Sequence, residues 1–188
     1  DYAVKAEANT GAYATAYGDG YLFYVGYMRK EGRLNYNLYA LDYPDMESTI
    51  LVGTDVSSST FGSKPIRSMT YVSENGGRLY YISTGTPKQD GSYDSYQLRS
   101  MDVATAMNVG ATYYFPAYGD NSKLTPTSIA YSSIENAFYL VAYEDNWNGK
   151  SVNLYKFALP TSSADIELEY VSEIGVVYSD DAGSGEVN

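Results

Sequence analysis

Hydrophobic and polar residues alternate along this chain with the period of β-strands, and no helical period of useful length interrupts them. The densest apolar run, Tyr21 to Met28, is entered through Gly18-Asp19-Gly20 and preceded by a strand-like segment, Ala12 to Tyr17. Gly-Asp-Gly is hairpin-turn chemistry, so the two segments are predicted to pair. Arg29 to Arg33 reads as a polar loop and Leu34 to Tyr43 as a third strand. Pro44-Asp45 breaks that strand, and Ser48 to Gly53 forms a short fourth. The first ten residues alternate loosely and suit a strand or an extended arm.

The same order recurs twice. Arg67 to Ser73, the turn Glu74 to Gly77, Arg78 to Ser83, a long polar loop Thr84 to Asp94, Ser95 to Val103 and Ala111 to Phe115 make the second unit. The third runs through Thr127 to Ser132, a turn at Glu135-Asn136, Ala137 to Tyr143, a loop Glu144 to Lys150, Val152 to Leu159 and Ile166 to Val171. Two markers give the period independently. Tyr17, Tyr71 and Tyr131 are 54 and 60 residues apart, and the third-strand leucines Leu38, Leu98 and Leu154 are 60 and 56 apart. Four strands per unit at this spacing is the signature of a β-propeller blade.

The units resemble the blades of bacterial β-propeller repeat proteins of the YVTN or Kelch-like kind. The likeness rests on the tyrosine-ended first strand, the glycine-containing turn, the Leu79-Tyr80-Tyr81-Ile82 type of second strand, and Leu38-Tyr39-Ala40-Leu41-Asp42 in the third. No unit carries the Trp-Asp of WD40 repeats, and Gly76-Gly77 only approaches the Kelch di-glycine. The resemblance implies an all-β fold of about three four-stranded blades, near 12–56, 66–118 and 126–175, forming a partial propeller or part of a larger one. The segment Gly175 to Asp180 echoes a first strand, so 176–188 is expected to begin a further blade or to be a flexible tail. An incomplete array exposes open blade edges, which predicts self-association.

Composition narrows the chemistry. The 188 residues suffice for a single domain with a core, and 23 Tyr against 5 Phe and 1 Trp suit half-exposed strands. A net charge of -11 lacks the basic footprint that nucleic acid requires and disfavours anionic membrane surfaces. With neither Cys nor His, the chain has no disulfide, thiolate site, Ser-His-Asp triad or imidazole base. No apolar run is long enough to span a bilayer. The start at Asp1 reads as a mature or trimmed polypeptide, and the Tyr, Asn, Gly and Ser content points to a secreted or bacterial cell-surface protein.

Propeller architecture implies that the strand-two to strand-three loops share one face with the blade-connecting loops. Function is expected on that long-loop face. The richest of these loops carries Asn146, Trp147 and Asn148, and the second unit's loop carries Asp90, Tyr93 and Asp94. An aromatic ring flanked by amides and carboxylates suits a pyranose, whose apolar face stacks while its hydroxyls need donors and acceptors. A turn with Trp147 packed on a blade edge explains the same residues without any ligand. A calcium loop does not fit: with Gly149 at position six, Glu144 falls at position one and Tyr155 at position twelve. The expected first strands carry no acid for a glycosidase pair. The expectation is therefore a non-enzymatic binding or scaffold module for a glycan or protein, with no metal and no cofactor. Part of a carbohydrate-active propeller enzyme and a purely structural repeat are the alternatives.

Overall fold

The computed structural model describes residues 11–30, 33–42, 45, 48–52, 66, 68–84, 96–105, 107–116, 123–146 and 149–177. It is all-β, with one short 3-10 turn at Glu74–Gly76. β1 (Gly11–Gly18), β2 (Tyr21–Lys30), β3 (Arg33–Asp42) and β4 (Ser48–Val52) form the first sheet. β5 (Met69–Val72), β6 (Arg78–Thr84), β7 (Tyr96–Asp102) and β8 (Met107–Tyr114) form the second. β9 (Lys123–Ser132), β10 (Ala137–Asn146), β11 (Gly149–Phe157) and β12 (Glu169–Val177) form the third. Each sheet is an open antiparallel meander in chain order.

The first hairpin shows why the sequence folds this way. Asp19 and Gly20 have φ of 50° and 82°, and Gly18 pairs with Tyr21. That is the two-residue turn whose twist matches the flanking strands. The alternation then sorts each strand into two faces. Ala14, Ala16, Phe23, Val25, Leu38 and Ala40 of the first sheet pack on Met69, Leu79, Tyr81 and Met101 of the second. The other face of the second sheet, with Val72, Tyr80, Ile82 and Leu98, packs on Ile129, Phe138, Leu140 and Phe157 of the third. The core is thus two apolar layers between consecutive sheets. The first strands gather together, β5 packing against both β1 and β9. Farther out, Tyr114 of β8 pairs with Asp165, and the Ile166 amide donates to the Tyr114 carbonyl at 2.8 Å.

Several strand boundaries differ from the sequence expectation. Arg29 to Arg33 and Glu144 to Lys150 are not long loops: Lys30 pairs with Arg33, and Asn146 with Gly149. The ladder is made by the backbone, so polar side chains do not end these strands. β8 begins before Ala111 because Gly110, at φ 75°, lets the strand bulge opposite Leu98–Ser100 and continue. β9 begins before Thr127 because Pro126 sits at an edge-strand irregularity opposite Ala142. β12 is Glu169–Val177, not Ile166 to Val171. Ile166 is a buried plug ahead of the strand, and Gly175 pairs with Val152 inside β12. Gly175 to Val177 therefore complete the third sheet.

Candidate functional site

At the end of the third sheet where β10 turns into β11, the apolar layer gives way to polar side chains. Leu140, Ala142 and Glu144 lie opposite Tyr155, Asn153 and Ser151, so alternation places all six on the face turned to the second sheet. Asn153 is 5% exposed. Its amide nitrogen donates to Ser151 Oγ at 3.2 Å and to the Tyr155 hydroxyl at 3.4 Å. The Tyr155 hydroxyl donates in turn to the Glu144 carboxylate. The Tyr155 ring meets Tyr170 edge-on with centroids 6.0 Å apart, and Tyr170 is largely exposed. The result is an acceptor carboxylate, a forked amide and two hydroxyls beside aromatic rings, with Glu144 and Ser151 each two residues from the strand end at the β10–β11 connection. At the corresponding end of the second sheet, Ser83 Oγ is buried with no hydrogen-bond partner among the described residues.

The opposite end carries a row of tyrosine–carboxylate contacts. Tyr71 stacks on Phe23 with centroids 5.6 Å apart and donates its hydroxyl to Asp19 in the first sheet's turn. Burial, with the hydrogen bond and charge of Asp19 adding to it, pushes the Tyr71 phenol up to about 12. Tyr131 repeats the arrangement one unit later, 3.3 Å from Glu74 Oε1 in the second sheet's turn and 2.7 Å from Asn136 Oδ1. Gly18, Asp19, Tyr71, Ser73, Tyr131 and Ser133 enclose a recess of about 220 Å³. Beside it in the third sheet, Lys156 Nζ lies 2.5 Å from Glu135 Oε2, which also accepts from the Tyr139 hydroxyl at 2.6 Å. These contacts hold the Glu135 carboxyl below its ordinary value and the Lys156 ammonium above it, so both stay charged at neutral pH. A groove of about 660 Å³ runs from this pair along Leu159 to Ser163.

Of the residues expected to bind ligand, Asn146 is placed by its backbone at the last pairing position of β10. Trp147, Asn148, Asp90, Tyr93 and Asp94 lie outside the described residues. The structure adds Glu144, Ser151, Asn153 and Tyr155, which sequence reasoning had left as loop and strand. Their signal was an Asn in alternation with apolar Leu154 and Val152 neighbours, on the face that elsewhere reads apolar. Among the described residues, no group of three or more Asp and Glu side chains is placed to hold a metal ion. None of their helices is long and apolar enough to cross a membrane. No protein-family model matches this chain, and no curated protein matches it.

Proposed function

We propose that the three sheets are successive blades of a β-propeller-type array, and that the chain is a non-enzymatic binding module for a glycan. The architecture is supported by the meander order of each sheet, the gathering of β1, β5 and β9, and the apolar layer repeated between consecutive units. The observation that carries the ligand class is the Glu144–Ser151–Asn153–Tyr155 cluster. Polar groups are drawn into the end of an apolar interface, where desolvation would disfavour them without partners. Donors, acceptors and a ring edge in one place match the alternating hydroxyl and C–H faces of a sugar. The proposed site includes Asn146, Trp147 and Asn148, which the sequence puts at the β10–β11 connection, and Asp90, Tyr93 and Asp94, which it puts between β6 and β7. Binding without turnover fits a chain with no His and no Cys. A secreted or cell-surface setting, where glycans are met, belongs to the same proposal.

The test is a glycan-array screen followed by calorimetric titration of the best binder. Trp147→Ala combined with Tyr93→Ala should weaken binding at least about tenfold, equivalent to ~1.4 kcal/mol. Unchanged affinity in that variant removes these residues from the site. Absence of any bound glycan overturns the ligand class, and release of reducing sugar overturns the non-enzymatic reading.

A further inference from the structure

Strand register lets the three units be superposed residue by residue. On the face turned to the preceding unit, Tyr71–Leu79–Met101 in the second sheet corresponds to Tyr131–Phe138–Phe157 in the third. Leu79, Met101, Phe138 and Phe157 are buried there. The first sheet presents Tyr17–Leu22–Leu41 in the same register. Among the described residues no sheet packs on this face, and Tyr17 is 64% exposed while its counterparts Tyr71 and Tyr131 are half-buried against the neighbouring turn. Leu22 is partly exposed and Leu41 buried.

The face turned to the following unit tells the same story from the other end. Val25–Leu38 and Ile82–Leu98 are paired and fully buried in the first and second sheets. Their counterparts in the third, Val141 and Leu154, are paired in the same way yet remain partly exposed. The outer faces of the first and third sheets thus each carry the apolar half of an interface that the chain makes twice internally. The two halves are complementary, since each repeats one side of the same junction.

We infer that two copies of this chain associate head to tail, the outer face of one copy's third sheet meeting the outer face of the other's first sheet. At each new junction the Tyr17 hydroxyl donates to Glu135 in the β9–β10 turn of the other copy, as Tyr71 donates to Asp19 and as Tyr131 approaches Glu74. Glu135 sits in the equivalent turn, ionised and oriented by Lys156 and Tyr139. A heterologous contact of this kind closes into a ring when its rotation allows. Two copies bring six units, within the range of closed propellers, typically 4–8. The inference rests on the blade packing proposed above.

Light scattering on the 188-residue chain should give a mass near twice 20.7 kDa over a wide concentration range. Leu22→Asp and Leu154→Asp should each return it to a monomer with an unchanged far-ultraviolet spectrum. A monomeric parent chain overturns the inference. So does a dimer sensitive to only one of the two substitutions, which would mean like faces pairing. The absence of Cys allows a direct check with a short bis-maleimide. Asp19→Cys with Tyr71→Cys should link within one chain, and Tyr17→Cys with Glu135→Cys should link two chains. Linkage of the first pair without the second removes the head-to-tail contact and leaves the blade packing standing. Failure of the first pair removes both.

Discussion

A Cβ atom at Gly18 would lie 1.9 Å from Tyr71 Cδ1, inside the ring that Gly18 now lets pass. Gly18→Ala should therefore force the ring off Phe23 and destabilise the fold by about 1–3 kcal/mol in urea titrations. Gly175→Ala, which meets nothing within 4 Å, is the control and should change stability by about 0.5 kcal/mol or less. Tyrosine ionisation gives a second prediction. Burial pushes the Tyr81 phenol up to about 12, even though Arg99 and the hydrogen bond to Asn108 pull the other way, and Tyr71 is also near 12. An unfolded tyrosine ionises near 10, so between pH 10 and 12 the unfolded chain has released protons that the folded chain retains. The stabilisation is complete below pH 10 and is lost as pH rises through 12. Tyr81→Phe should flatten the fall in urea midpoint across that window, and an unchanged slope would show that Tyr81 does not contribute to it. The aligned tyrosines were readable as repeat markers. Their acceptors were not, because Asp19 is 52 residues from Tyr71 and Glu74 is 57 from Tyr131.

Strand existence was easier to read than strand length. Period-two alternation identified the apolar middle of each strand, but strand ends are decided by backbone pairing, to which polar side chains are indifferent. Gly110 and Pro126 are strand-breaking residue types, yet they sit at irregularities inside β8 and β9. Gly110→Ala would make only ordinary van der Waals contact, with Ser100 Oγ at 3.8 Å and Arg78 Nη1 at 3.9 Å, so only the positive φ opposes it. The expected loss in a urea titration is about 1–2 kcal/mol. The aspartate that ends the third strand has a local reason. Asp102 Oδ1 accepts from the Thr105 amide at 2.8 Å and its hydroxyl at 3.0 Å, closing the turn into β8 and lowering the Asp102 pKa. Where the third unit has Ala158, the connection to β12 runs through to Leu168. Asp102→Ala should accelerate hydrogen exchange at the Thr105 amide while leaving the β6–β7 amides protected.

Across the whole molecule, stability resides between the sheets. Leu140 is fully buried in the layer where Phe138 stacks on Phe157 at 5.2 Å and meets Tyr80 edge-on at 5.1 Å. Leu140→Ala should lower unfolding free energy by about 2–5 kcal/mol and weaken both sheets it joins. A loss confined to the third sheet in hydrogen exchange would show that the layer does not couple them. The strand class, the three-unit period and the tight Asp19-Gly20 turn follow from alternation and turn chemistry, both of which act over a few neighbouring residues. Only the folded arrangement could decide which face of each sheet meets which neighbour. It alone could also show that Tyr71 answers Asp19, that Asn153 and Tyr155 bring polarity to a buried layer, and that Tyr17 and Leu154 lie where their counterparts are covered. Those contacts join residues far apart in the chain, and a pattern of period two is the same whichever sheet it comes to face.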